Sequence, residues 1–218
     1  ATPYRRDGHQ PIITMQCGPI RYKITAKKNT ESSLKHKLIT RATEFLCSWS
    51  DKENIHNLWP LLIIDEKRNQ IIFNDIIEAL EEKRSPIVLT ERKEHLEILK
   101  GKLEKFVKHI IVLHGGMKAG IRKEMIAKLT EIPCTEERLI LATGQYIGEG
   151  FDDPRLDTLF LAMPFSFKGK MVQYAGRLHR LHPWKIETRI YDYVDVNMPV
   201  LLRMYKRRLK AYKALGYE

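Results

Sequence analysis

From Leu58 to the C-terminus the chain alternates short, uninterrupted apolar runs with longer segments of helical periodicity. The apolar runs predict strands at Pro86–Thr90, His109–His114, Arg138–Thr143, Asp157–Met163 and Arg189–Val194. The intervening periodicity predicts helices at Asp65–Lys83, Glu91–Phe106, Ala119–Leu129, Lys168–Arg180 and Pro199–Leu215. A strand that is apolar on both sides must be covered on both faces, and parallel neighbours need a crossover long enough for a helix. The pattern therefore predicts an α/β fold, a parallel sheet with helices on both faces. Ligands of such sheets collect at the carboxyl ends of the strands. Polar and glycine-bearing segments fall there: Thr90-Glu91-Arg92, His114-Gly115-Gly116, Thr143-Gly144-Gln145 and the turn before Lys168.

Residues 1–57 are less regular and read as an N-terminal extension, with a helix expected over Ser33 to Trp49. The opening ATPYRRDGH reads as the interior of a longer protein. No apolar run reaches the roughly 18 residues of a membrane span, and no signal-peptide pattern opens the chain. Cys17, Cys47 and Cys134 are far apart and form no C-x-x-C pair, so neither a disulfide framework nor a zinc ribbon is predicted. A reducing, cytoplasmic setting is expected, with no membrane partner. Lysine and arginine exceed aspartate and glutamate by 38 to 27, a net charge of +11. Such an excess favours polyanionic partners through phosphate neutralisation and counterion release.

Two segments carry chemistry. In Gln173-Tyr-Ala-Gly176-Arg177-Leu-His-Arg180, a helix would place Gln173, Arg177 and Arg180 on one stripe. Two guanidiniums side by side suit a cluster of phosphate oxygens, since each offers several fixed donors and keeps its charge. Gly176 costs helix propensity and suggests a close backbone approach. In Thr143-Gly-Gln-Tyr-Ile-Gly148-Glu-Gly150-Phe-Asp152-Asp-Pro154, a strand runs into a loop whose glycines can expose amide donors. Asp152 could accept from a sugar hydroxyl or fix an arginine; the acids could equally be turn formers before Pro154.

Together these strings resemble motifs V and VI of superfamily-2 helicases, in particular DEAD/DEAH-box proteins related to restriction and repair motors. PIVLTERKEHLEIL resembles motif IV, LHGGM the motif after it, and Ala1–Arg6 the tail of motif III. The resemblance implies a RecA-like three-layer domain over 58–218, with 1–57 holding the tail of the first motor domain plus a linker. It implies arginine fingers at Arg177 and Arg180, with Gln173 beside them. Gly150 and Asp152 would face nucleotide, and Thr143, Thr90, Arg92, Gly115 and Gly116 a nucleic-acid track. The implied partners are DNA, or RNA, and an N-terminal RecA-like domain; ATP and Mg2+ would be cofactors of the full-length parent. The other class of function open to such a chain is a non-catalytic nucleic-acid-binding or regulatory module.

The phosphate-loop pattern G-x-x-x-x-G-K-[ST] is missing from the sequence, so the chain alone is expected not to hydrolyse ATP. Leu61-Leu-Ile-Ile-Asp65-Glu66 imitates a magnesium-binding run, but its acids open a helical pattern and read as a cap. Asp192 and Asp195 read as a solvated strand end, and His179 with His182 lack the further ligands of a metal site. The closing helix combines Arg203, Lys206, Arg207, Arg208, Lys210 and Lys213 with an apolar face, which fits a solvated basic surface or a nucleic-acid contact.

Overall fold

The structure, a computed structural model, describes residues 15–19, 21, 34–50, 53–144, 151–165 and 168–218. Among the described residues six strands form one sheet: β1 Lys35–Thr43, β2 Pro86–Thr90, β3 Ile110–Leu113, β4 Leu139–Thr143, β5 Thr158–Leu161 and β6 Glu187–Asp195. Their spatial order is β1-β6-β5-β2-β4-β3, and every pairing is parallel. The helices are α1 Leu58–Ile63, α2 Glu66–Glu81, α3 Lys93–Leu103, α4 Ala119–Glu131, α5 Lys168–Leu178 and α6 Pro199–Leu215.

Alternate strand residues feed two separate cores. Ile87, Leu89, Ile140, Ala142, Leu159, Leu161 and Ile190 point to the face covered by α4, α5 and α6. Val88, Leu139, Leu141, Phe160, Ala162, Tyr191 and Tyr193 point to the face covered by α2 and α3. This is the three-layer arrangement expected of uninterrupted apolar strands. On α3 the stripe Leu96, Leu99 and Leu103 is buried, as its spacing predicts.

β1 departs from the expectation. Residues 35–43, assigned from their spacing to a helix, form a nine-residue strand paired along its full length with β6. It is an edge strand, so its outward positions stay polar and the period-2 signal is blurred. β1, which precedes residue 57, belongs to the same sheet as the later strands. A second departure concerns Asp192 and Asp195, which are buried rather than solvated. Asp195 accepts from Thr43 Oγ1 (2.6 Å) and Arg68 Nε (2.9 Å), joining β1, β6 and α2. Asp192 accepts from Arg208 Nε and Nη2, both at 2.8 Å, and from Tyr212 Oη, so it fixes α6 to the sheet. Each acid compensates a buried arginine, the condition under which such charges are retained in a core.

The Asp65–Glu66 pair is a cap, as its position predicts. Asp65 is the N-cap of α2 and accepts from the Arg68 amide (2.7 Å), while Glu66 meets Lys102 Nζ (2.6 Å).

Candidate nucleotide and nucleic-acid interface

The expected site residues separate into two groups. The first lies at the carboxyl ends of β2, β3 and β4, where Thr90 and Thr143 are direct neighbours in the β2–β4 register. Both side chains are buried, and both hydroxyls serve the chain itself. Thr143 Oγ1 accepts from the Gly115 amide (3.1 Å), holding the glycine loop after β3 against β4. Thr90 Oγ1 accepts from the Arg92 amide (3.3 Å) and contacts His95 Nδ1 (3.2 Å). His95 Nε2 in turn meets Asn69 Oδ1 (3.0 Å), whose amide nitrogen donates to Ile63 O. Asn69 Oδ1 makes Nε2 the donor, and in a neutral ring Nδ1 then accepts from the Thr90 hydroxyl. Burial, reinforced by the Arg68 charge, pushes the His95 pKa down to about 3.

The threonines therefore position loops rather than standing free at the surface. What they position is accessible: Arg92 is half-buried with Nη2 at 3.2 Å from His56 Nδ1, and Gly116 is exposed. Gly116 has φ +83°, and an added Cβ would also meet Lys93 Nζ at 3.3 Å. Residue 116 thus needs glycine for conformation.

The second group surrounds the far end of α5, beside the loop that leads into β5. The helix ends at Leu178, so Arg180 stands just beyond it and not on a continuous helical stripe. Asp152 holds Arg180 side-on, with Oδ1 at 3.2 Å from Nε and Oδ2 at 3.1 Å from Nη2. Arg180 is 57% exposed in its side chain, Arg177 is half-buried, and Gln173 is exposed. The side-on pair occupies one edge of the guanidinium and leaves Nη1 with its donors for a second acceptor. The neighbouring acid does the other job that its sequence allowed. Asp153 is buried, accepts from the Arg155 amide (3.0 Å) to close the turn, and lies 2.6 Å from Arg138 Nη2. Gly150 and the motif III resemblance at Ala1–Arg6 lie outside the described residues.

Two residues not anticipated from sequence tie the site together. Lys185 Nζ donates to Pro154 O (2.7 Å), Arg180 O (2.8 Å) and Leu178 O (3.1 Å), so one ammonium caps α5 and binds its end to the Asp152–Pro154 loop. Burial pushes its pKa down to about 8. A basic residue soon after the end of a helix was the available signal, since last-turn carbonyls need donors. Tyr174 is buried in α5, one turn before Arg177, and packs edge-to-face on Phe165. Its hydroxyl lies against Gly144 at the tip of β4, where Glu91 from the tip of β2 also approaches. Tyr174 thereby couples the arginine helix to the strand tips.

Chemically, the second group suits a polyphosphate. It offers a fixed guanidinium with an open edge, a second arginine nearby and a restraint on the backbone between them. Asp65 and Glu66, which imitate a magnesium-binding run, are instead engaged at the cap of α2 and with Lys102. Among the described residues no three His, Cys, Asp or Glu converge.

A three-layer parallel sheet with an arginine-bearing helix end and polar loops at its strand tips is the arrangement of a RecA-like domain. Residues 68–182, more than half of the chain, match the family described as "Helicase conserved C-terminal domain". The chain belongs to that family. It is 28% identical over 134 residues to the "Transcript termination protein A18" of Vaccinia virus (strain Ankara), covering 61% of this chain and 25% of that protein. It is 36% identical over 83 residues to "Uncharacterized protein 108L" of Invertebrate iridescent virus 3, covering 38% of this chain and 75% of that one. Among solved structures, S. cerevisiae Dbp5 bound to RNA and ADP BeF3 superposes with a TM-score of 0.63 at 13% identity, over 98% of this chain and 47% of that one. T4 UvsW superposes with a TM-score of 0.61 at 18% identity, over 89% and 41%. At these identities the structural likenesses establish the fold. The chain spans about a quarter of the length of the transcript termination proteins it matches. Among the described residues no helix is long and apolar enough to cross a membrane.

Proposed function

We propose that this chain is the second motor domain of an ATP-dependent DNA helicase or translocase, acting on a nucleotide held mainly by an N-terminal RecA-like domain. The observation that carries the proposal is Arg180, held side-on by Asp152 with its remaining edge open, in a chain of the helicase C-terminal family. When bound, ATP with its magnesium supplies the phosphoanhydride bond that water cleaves. Arg180 and Arg177 stabilise the charge that develops on the γ-phosphoryl oxygens, with Asp152 keeping Arg180 oriented before they arrive. Exposed Gln173 orients the phosphates or the attacking water, and Gly150 approaches the nucleotide. Arg92, Gly115 and Gly116 contact the strand's phosphates, positioned by the hydroxyls of Thr90 and Thr143. RNA is the second reading, favoured by the transcript-termination names of the viral relatives.

The test joins the chain to the first motor domain of its parent and measures ATPase with and without a strand. Arg180→Ala is expected to lower kcat by about 10³ or more, within the usual worth of an arginine finger. KM for ATP should move much less, since the finger acts chiefly on the transition state. The 218-residue chain alone is expected to show no hydrolysis. An Arg180→Ala protein with unchanged kcat would reject the finger assignment. A joined protein whose ATPase ignores both DNA and RNA would reject the motor and favour a regulatory module.

A further inference from the structure

α6 lies beyond the family match at 68–182 and carries a charge pattern that the motor reading does not use. Its 17 residues, PVLLRMYKRRLKAYKAL, contain six basic side chains and no acid. One of the six, Arg208, is buried and bound to Asp192 and to Phe165 O (2.6 Å). With Leu201, Ala211, Tyr212 and Leu215 also buried, that bond fixes the rotation of the helix about its axis. The other five, Arg203, Lys206, Arg207, Lys210 and Lys213, are thereby all exposed. Arg203, the adjacent Lys206 and Arg207, Lys210 and Lys213 recur every three or four residues, one stripe about 15 Å long at 1.5 Å per residue.

An ordinary solvated face mixes signs, because like charges at these spacings oppose helix formation. Here Lys206, Arg207, Lys210 and Lys213 have no acidic partner among the described residues. The stripe is nearly half of the chain's net charge of +11. We propose that the outer face of α6 is an auxiliary nucleic-acid surface, which binds the phosphate backbone outside the strand-tip track. Its length matches about four base-pair steps of a duplex, at roughly 3.4 Å of axis per charge on each strand. An anionic membrane is the weaker occupant. A membrane-surface helix presents apolar side chains beside its cations, whereas no residue of α6 is among the exposed large hydrophobics. α6 packs on α5, so the stripe shares a face of the sheet with the arginine helix. It would hold the strand to the motor through the part of a cycle when the track lets go. The choice of nucleic acid as the polyanion rests on the proposed function; the stripe itself does not depend on the arginine fingers.

The test is fluorescence anisotropy of labelled single-stranded and duplex oligonucleotides with the 218-residue chain, across about 50 to 200 mM salt, where counterion release is readable. The variant Lys206→Gln/Lys210→Gln/Lys213→Gln is expected to bind at least tenfold more weakly at the lowest salt. Its slope of log affinity against log salt should be shallower by about 2 to 3, at roughly 0.7–0.9 per lost contact. The matched Lys→Arg triple should keep both affinity and slope, which separates lost charge from lost fold. Wild-type-like affinity and slope in the Gln triple would overturn the proposal while leaving the motor reading intact. A wild-type chain that binds phosphatidylserine vesicles but neither oligonucleotide would overturn both this proposal and the nucleic-acid reading.

Discussion

Gly144 and Gly176 lie in the glycine loop after β4 and in the arginine helix, and they behave oppositely. The expectation was that Gly176, in the middle of α5, marks a close backbone approach. In the structure a Cβ at 176 meets nothing within 4 Å, whereas one at 144 would collide with the Tyr174 hydroxyl and crowd Glu91. Glycine types were legible as exceptions to helix and strand propensity, but which one is crowded depends on a side chain arriving from another element. Gly144→Ala is therefore expected to displace Tyr174, with a loss of about 1–3 kcal/mol typical of overpacking. Gly176→Ala should be neutral or stabilise by up to about 1 kcal/mol through helix propensity. Urea midpoints of the two variants check both signs, and equal losses would refute the assignment of the close approach to Gly144. The same logic applies to Arg177 and Arg180. Their identity was legible, but the break of the helix at Leu178 and the Asp152 clasp are set by Lys185 and the loop into β5.

At the scale of elements, the uninterrupted apolar strands and the helices between them could be read directly, because burial on both faces leaves a strong sequence signal. β1 could not, since an edge strand needs polar residues and acquires its structure from β6. The acids at the end of β6 were equally opaque. Nothing near Asp192 in sequence announces that its partner is Arg208, sixteen residues on in a helix otherwise faced with cations. Both side chains are within about 2% of complete burial, so the pair cannot be relieved by water. Asp192→Asn removes the charge that Arg208 needs and weakens the bond to Tyr212. Breaking a buried pair from one side costs about 3–5 kcal/mol. The expected result is a marked fall in the urea midpoint, with Arg208→Met/Asp192→Leu recovering much of it by replacing the pair with apolar volume. A wild-type midpoint for Asp192→Asn would mean that the pair does not anchor α6.

For the molecule as a whole, two histidines on opposite faces of the sheet make folding depend on pH. His95 sits between Thr90 and Asn69, and burial holds its pKa near 3. His179 follows the arginine helix, stacks on His36 at 4.4 Å and meets Tyr217 Oη at 3.1 Å. Burial first, then the neighbouring His36 and Lys185, push its pKa to about 4. An unfolded histidine titrates near 6.5, so between that value and the folded pKa the unfolded chain binds more protons. Stability must then rise with pH through this window; it is complete above about 6.5 and is lost progressively as the solution is acidified. Each histidine contributes a slope of up to about 1.4 kcal/mol per pH unit. Measuring between about pH 5 and 6.5 keeps the test above the range of ordinary carboxylates. His179→Phe preserves an aromatic ring against His36 and Tyr217 while removing its proton site, so its stability should depend on pH less steeply by about one proton. The loop at Arg180 should feel the same change, because protonating His179 places a charge beside His36 within the segment that Lys185 clasps. If the variant and the wild type share one pH slope across that interval, His179 is charged in the folded protein and the buried neutral cluster under the arginine helix does not exist.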